Sequence, residues 1–326
     1  EITLPTGIDK NGRDRTAVCC LSSLNLEKYD EWKDDNVMIN DVMRFLDNVL
    51  TDFIERAPEQ FDDAKYSAEK ERSVGLGVMG FHSYLQKHSI PLESVMSKAW
   101  NKKIFKHIQE HVDQASKDLA DERGACPDAA DYGYNERFSN KTAIAPTASI
   151  SIICGGASPG VEPVAANSYT HKTLSGSFNV RNRYLVELLE KHGKNTDDVW
   201  SGITTNQGSV SHLDFLTDLE KDVFKTAFEL DQKWIIELSG DRTPYISQAQ
   251  SINLFVPADI HKRELHKIHF DAWKKGLKSL YYCRSKSIQR AENINDAKST
   301  DVLANVYKNK ATKTEEPEYE ECLSCQ

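Results

Sequence analysis

Residues 251–283 read SINLFVPADIHKRELHKIHFDAWKKGLKSLYYC. The run at 251–256 is rich in β-branched and aromatic residues, which is typical of a buried strand. Residues 257–276 begin at a proline and end at a glycine, as helices often do, and 277–283 form a second apolar run. A strand, a helix and a strand in this order make a βαβ unit, which predicts a parallel sheet or barrel of the α/β class.

The rest of the chain continues this alternation up to a polar tail. We predict strands at 16–26 and 142–154, the second turning at Pro146. Hydrophobic periodicity predicts helices at 37–57, 66–88, 94–123, 180–193 and 219–239. Residues 291–326 lack an apolar pattern, so we expect one domain over 1–290 and a flexible tail over 291–326.

Composition excludes several classes of protein. The 326 residues include 50 acidic and 41 basic ones, for a net charge of −9, so nucleic acid is not an expected partner. No apolar run reaches the roughly 18 residues of a membrane span, so we expect no membrane partner. Seven cysteines without an export signal indicate a reducing compartment, and we expect the cytoplasm, or the host cytoplasm if the protein is viral.

Two motifs match known sequence patterns but lack the surrounding sequence that those patterns require. GLGVMG at 75–80 fits the dinucleotide fingerprint G-x-G-x-x-G, but a charged helical stretch precedes it where a strand is required. We interpret its glycines as small residues that let a buried helix approach its neighbour. HIQEH at 107–111 fits the inverted zinc-protease motif. It lies on a lysine-rich helix without a third ligand, so we interpret His107 and His111 as solvated and expect no metal.

Three further features suggest a common chemistry. Cys322-Leu323-Ser324-Cys325 is a dithiol near the end of the tail, and thiol exchange suits it better than half of a zinc site. Tyr281 and Tyr282 are adjacent, which fits ordinary aromatic core but would place the rings on opposite faces of a regular strand. The hydroxyl-rich turn at 145–151 can present backbone N–H groups to an anion such as phosphate, although a simple helix cap explains it equally well.

Together these segments resemble the C-terminal half of the large, catalytic subunit of class I ribonucleotide reductase. The resemblance runs through nearly the whole chain, and its Tyr-Tyr and terminal dithiol motifs are specific to that class. It rests on the stretches IAPTASISIICGGASPGVEP, GLGVMGFHSYL, SQAQSINLFV, HFDAWKKGLKSLYYCRS and CLSCQ. The resemblance implies the second half of a ten-stranded α/β barrel with a mobile C-terminal tail.

The resemblance also implies roles for individual residues. Glu1 matches the general base that takes the proton of the substrate 3′-hydroxyl. Cys19 matches one of the two thiols that reduce the ribose, with Cys20 as a lower-ranked candidate. The paired tyrosines match the relay that carries an oxidising equivalent, and the tail dithiol matches the thiols that re-reduce the active site. The substrate-phosphate turn corresponds to Pro146, Thr147, Ala148, Ser149, Ile150 and Ser151.

The implied activity is radical reduction of ribonucleoside diphosphates to deoxyribonucleotides. This chain is expected to bind no cofactor itself; a small subunit with a metal supplies the radical, and thioredoxin or glutaredoxin supplies electrons. Because the family's Asn and radical cysteine precede the position of Glu1, we expect activity only with an N-terminal half of the subunit. The alternatives are an assembly module without catalytic activity and, more remotely, a metallohydrolase built on His107 and His111.

Overall fold

The computed structural model describes residues 1–173 and 176–286. The strands in this part of the chain are β1 Gly7–Ile8, β2 Asp14–Arg15, β3 Leu21–Asn25, β4 Gly75–Met79, β5 Ser168–Thr173, β6 Gly176–Arg181, β7 Leu254–Pro257 and β8 Cys283–Lys286. The helices are α1 Tyr29–Trp32, α2 Met38–Arg56, α3 Asp62–Glu71, α4 Phe81–Lys87, α5 Val95–Arg123, α6 Pro127–Ala130, α7 Ala148–Ile153, α8 Arg183–Lys191, α9 Asp197–Thr205, α10 Asp218–Val223, α11 Gln232–Arg242 and α12 Lys262–Lys274.

Neighbouring parallel segments form an arc of the barrel. Strand β3 pairs with β4 in the register Leu21↔Gly75, and β7 pairs with β8, both in parallel. Between these pairs, single parallel bridges join Leu76 to Thr142 and Ile144 to Gln250. The order across the arc is therefore β3, β4, 142–144, 249–257 and β8. This arrangement confirms the βαβ unit predicted at 251–283, with α12 as the crossover helix, but the second strand predicted at 277–283 is misplaced, since β8 begins only at Cys283.

The predicted helix at 66–88 is wrong, because a strand divides it. Helix α3 ends at Glu71, because the next residue, Arg72, has a left-handed φ of 42°, and β4 and α4 follow. A β-carbon on Gly77 would lie 2.2 Å from the carbonyl oxygen of Ala143, and one on Gly75 would lie 2.3 Å from Leu21 Cδ2. The glycines therefore serve close packing, as interpreted, but between the neighbouring segments of the arc and not between helices.

The predicted helix at 219–239 is also interrupted. Thr217 caps α10 with a capping box, and α10 ends at Val223. A second cap then begins α11, where the Asp231 side chain accepts a hydrogen bond from the N–H of Lys233. Polar capping residues inside an apolar pattern thus divide one periodic stretch into two helices. The helices predicted at 37–57, 94–123 and 180–193 are confirmed as α2, α5 and α8.

The predicted strands are shorter than expected. The run at 16–26 forms β3 only from Leu21, and the run at 142–154 keeps its extended part at 142–144 before α7 begins at Ala148. The main apolar core lies between the arc and helices α2 and α5, with fully buried side chains such as Met43, Phe81 and Phe105. This core packs against the parallel segments, and the polar residues of the candidate site lie at the ends of those segments.

Candidate active site

Glu1 lies beside the extended segment that leads into β7. Its Oε2 atom accepts a 2.7 Å hydrogen bond from the Ser251 hydroxyl, and its backbone oxygen accepts one from the N–H of Ala249 at 2.9 Å. Ser251 is buried. The side chain of Glu1 is therefore tied at one oxygen by a buried hydroxyl group, which is the arrangement that orients a carboxylate for proton transfer.

Tyr281 and Tyr282 form a close ring pair directly before β8. Their ring centroids lie 4.1 Å apart with the planes inclined at 47°. The Tyr282 side chain is 52% exposed, and the guanidinium of Arg284 lies 5.5 Å from its ring centroid. The backbone N–H of Tyr281 donates to the carbonyl oxygen of Ile252 at 2.8 Å. This bond joins the tyrosine pair to Ile252, which lies two residues after Gln250, and Gln250 pairs with Ile144.

The turn at 146–151 follows the neighbouring segment 142–144. Thr147 has the left-handed φ of 54°, which is rare for a β-branched residue, and its Oγ1 accepts a 2.7 Å hydrogen bond from Gly160 N–H. Helix α7 then begins, with Ala148, Ser149 and Ile150 exposed and Ser151 buried. The first N–H groups of a helix have no intrahelical acceptor, so this turn presents donors outward.

The two adjacent cysteines have different environments. Cys19 is exposed, whereas Cys20 is buried and its thiol points to the carbonyl oxygen of Leu46 at 3.9 Å. Burial raises the pKa of Cys20 to about 11, with the neighbouring Cys19 adding to the shift. Because the thiolate is the reactive form, the geometry favours Cys19 over Cys20 as a redox thiol.

Two polar side chains of one segment link Glu1 to the tyrosine pair. Ser251 contacts Glu1, and two residues later along the same extended segment Asn253 accepts a 2.9 Å hydrogen bond from the N–H of Tyr282. Alternate residues of an extended chain share a face, so the carboxylate and the tyrosine pair are supported from one side of one segment. Sequence reasoning missed Ser251 and Asn253, although the alternation of two polar residues within the apolar run SINLFV was a usable signal.

Glu162 is a third missed residue. It is 7% exposed, and its Oε1 atom has no hydrogen-bond partner among the described residues. Burial raises the pKa of Glu162 to about 7, against the opposing effects of Asn253 and the charge of Arg284. Gly160, which bonds to Thr147, lies two residues away, so the loop that carries Glu162 also contacts the phosphate-type turn.

The histidine motif does not have the surroundings expected of it. His107 is half-buried rather than fully solvated, since it packs against Trp32 in a stacked arrangement and its Nδ1 lies 3.2 Å from the Tyr29 hydroxyl. Burial lowers the pKa of His107. Across residues 1–173 and 176–286, no group of three or more His, Cys, Asp or Glu side chains could hold a metal ion. The motif therefore belongs to an aromatic cluster.

Two further expectations concern the rest of the chain. In the part that the structure describes, no helix is both long and apolar enough to cross a membrane. Cys322 and Cys325, and with them the predicted tail at 291–326, lie outside the described residues. Their roles remain predictions.

Comparison with known proteins identifies the family. The model of the family described as "Ribonucleotide reductase, barrel domain" matches residues 1–136 and 128–283. The chain is 52% identical over 298 residues to the ribonucleoside-diphosphate reductase large subunit of Invertebrate iridescent virus 6, covering 90% of this chain and 30% of that protein. It is 44% identical over 303 residues to the large subunit of Invertebrate iridescent virus 3, covering 92% of this chain and 47% of the relative.

A solved structure agrees with these relatives. The class Id ribonucleotide reductase alpha subunit of Actinobacillus ureae superimposes with a TM-score of 0.78 at 40% identity, covering 85% of this chain and 51% of that one. The chain thus spans about a third to a half of the length of the proteins it matches. With the parallel arc and the family match over most of its length, the chain belongs to the barrel-domain family of ribonucleotide reductase large subunits.

Proposed function

We propose that this chain forms the catalytic barrel portion of a ribonucleoside-diphosphate reductase large subunit and takes part in converting ribonucleoside diphosphates to deoxyribonucleotides. The observation that carries the proposal is the Tyr281–Tyr282 ring pair, with centroids 4.1 Å apart, directly before β8 and beside the segment that holds Glu1. Adjacent side chains of regular extended backbone point to opposite faces, so phenols this close are unusual. They suit a relay in which each phenol loses an electron and a proton together.

Glu1 and Cys19 supply the chemistry at the sugar. Glu1, held by Ser251, takes the proton of the 3′-hydroxyl as general base. Cys19 and a second thiol, which precedes Glu1 in the family pattern, each give one electron and one proton. The 2′-hydroxyl leaves as water, a hydrogen replaces it, and the two thiols become a disulfide.

The turn at 146–151 holds the substrate by its phosphates. Its exposed residues Ala148, Ser149 and Ile150 begin α7, and their backbone donors and the hydroxyl groups suit phosphate oxygens. Pro146, Thr147 and Ser151 shape the turn, since the Thr147 hydroxyl and the buried Ser151 are both engaged inside the protein. Substrate affinity would therefore depend mainly on backbone geometry at this position.

The proposed partners supply what this chain does not contain. An N-terminal half of the large subunit brings the radical cysteine and the second thiol, and a small subunit with a metal generates the radical. After each turnover the dithiol of Cys322 and Cys325 reduces the active-site disulfide by thiol exchange and is itself reduced by thioredoxin or glutaredoxin. We place these reactions in the cytoplasm, where such reductants maintain free thiols.

Reconstitution tests the proposal. This chain is co-expressed with the N-terminal portion of a related large subunit, mixed with the matching small subunit and a thioredoxin system, and supplied with a ribonucleoside diphosphate. We expect deoxynucleotide formation that requires all components. An assembled complex that forms no deoxynucleotide, while an intact related enzyme does so under the same conditions, would establish an assembly module without catalytic activity.

A further inference from the structure

We propose that Asn253 is a positioning residue that brings the phenols of Tyr281 and Tyr282 together. The inference rests on the proposed function, because it concerns the tyrosine relay. It adds one residue that neither the sequence motifs nor the comparison with relatives assigns. Its basis lies in the backbone hydrogen bonds between the segment 249–257 and β8.

The hydrogen-bond ladder between these segments contains an irregularity at the tyrosines. Leu254 pairs with Cys283, and the N–H of Leu254 donates to the Tyr282 carbonyl oxygen at 2.9 Å. A regular parallel ladder would next join the N–H of Tyr282 to the Ile252 carbonyl oxygen. Instead the N–H of Tyr281 occupies that oxygen at 2.8 Å. One extra residue is therefore accommodated on the tyrosine side, as in a β-bulge.

The Asn253 side chain takes the hydrogen bond that the ladder cannot provide. Its Oδ1 atom accepts from the displaced N–H of Tyr282 at 2.9 Å. Asn253 is 3% exposed and the hydrogen bond is partly buried, so loss of this acceptor would leave the Tyr282 N–H without its partner in a partly buried place. The amide thus stabilises the irregular backbone against a return to the regular register.

The irregularity is what allows the two rings to meet. In regular extended backbone, adjacent side chains point to opposite faces. Tyr281 and Tyr282 are adjacent, yet their ring centroids lie only 4.1 Å apart. A backbone held out of register at Tyr282 explains how two adjacent side chains can lie on the same side. Any change that restores the regular ladder would move one phenol to the other face and separate the pair.

Variants in the reconstituted enzyme separate positioning from general stability. Asn253→Leu keeps the size of the side chain and removes the acceptor. We expect kcat to fall at least ~100-fold, as a small misplacement of reacting groups can cause. Because the substrate turn is untouched, KM and nucleotide affinity should stay within about threefold of wild type. A structural defect alone would change KM and assembly as well.

Rescue by a conservative variant tests the acceptor itself. Asn253→Asp keeps an acceptor oxygen at the same position. We expect Asn253→Asp to retain a kcat within about tenfold of the wild-type value. If Asn253→Leu fails to assemble, the assembled Asn253→Asp enzyme decides, and activity below about 1% of wild type there would overturn the inference.

Tyr281→Phe, measured in parallel, keeps the two proposals distinguishable. Wild-type kcat in Asn253→Leu together with an inactive Tyr281→Phe enzyme would overturn the positioning role and leave the proposed function standing. Wild-type kcat in Tyr281→Phe would overturn the relay itself, and with it the reason for holding the phenols together.

Discussion

The Ser251 hydroxyl donates a 2.7 Å hydrogen bond to Oε2 of Glu1, across 250 positions of the chain. The segment that carries Ser251 bonds to Ile144 on one side and to the tyrosine strand on the other. One extended segment therefore connects the proposed general base, the phosphate-type turn and the phenol pair. Variants that remove a single polar contact of this segment therefore test its role in the site.

Ser251→Ala should impair catalysis in the reconstituted enzyme. The change removes the donor that holds Glu1, and hydrogen bonds to charged groups contribute about 1.5–3 kcal/mol, so we expect kcat to fall at least roughly tenfold. KM should change little, because the turn at 146–151 is not involved. Steady-state deoxynucleotide formation measures both. Ser251→Thr retains the hydroxyl and serves as the control; if it is active and Ser251→Ala is equally active, Glu1 does not depend on this contact.

The cysteines at 19 and 20 should differ in reactivity. With its pKa raised to about 11 by burial, only about one Cys20 thiol in a thousand is ionised at pH 8. We expect iodoacetamide to modify the exposed Cys19 much faster, as measured by mass spectrometry of the peptide. Cys19→Ser should abolish turnover, whereas Cys20→Ser should remain active. Activity in Cys19→Ser combined with inactivity in Cys20→Ser would reverse the assignment.

Asp47 should be a major determinant of stability. It is fully buried and accepts hydrogen bonds from Arg72, Arg123 and Arg137. Asp47→Asn leaves these cations without their counter-charge, and breaking a buried ion pair costs about 3–5 kcal/mol. Urea unfolding of this chain at neutral pH measures the loss in the free energy of unfolding.

The pH dependence of this effect has a definite sign. Although burial alone would raise it, the three arginines hold the pKa of Asp47 below its usual value. The stabilisation is therefore present above the unfolded-state pKa of about 4 and is lost as the pH falls toward the lower folded-state value. The difference between wild type and Asp47→Asn should shrink below about pH 4. A difference that is constant with pH would contradict the ionised carboxylate.

Gly77→Ala should weaken the arc of parallel strands. The added β-carbon would meet the Ala143 backbone at 2.2 Å, and overpacking of this kind costs about 1–3 kcal/mol or more. Gly240→Ala in helix α11 is a suitable control, since its nearest neighbours are side-chain atoms of Lys275 at 3.0 Å. We expect the control to stay within about 1 kcal/mol of wild type by urea unfolding. Equal stability of both variants would show that β4 can move away from Ala143.

The sequence-based predictions succeeded where a local pattern determines the structure. The βαβ unit at 251–283 and the long helices α2 and α5 follow from periodicity and from terminal glycine and proline residues. They failed at β4, because GLGVM has no strand periodicity and its glycines are explained only by the approach of Ala143. Close packing between segments far apart in the chain leaves no local signal.

The candidate site shows the same limit. Glu1, Cys19 and the tyrosine pair were found through family motifs, whereas Ser251, Asn253 and Glu162 were not. Their importance depends on contacts across more than 25 positions of the chain, such as that between Asn253 and Tyr282. The low exposure of Glu162, which raises its pKa, exists only in the folded protein.

The central claim is that the paired phenols of Tyr281 and Tyr282 carry a radical into the barrel. The most direct test is the rate of ribonucleoside diphosphate reduction by the reconstituted enzyme with Tyr281→Phe or Tyr282→Phe, with the exposed Tyr134→Phe as control. Phe keeps the ring but has no phenolic proton to lose, so we expect both site variants to lose turnover while nucleotide binding and the control rate are unchanged. Turnover at the wild-type rate in either site variant would contradict the relay.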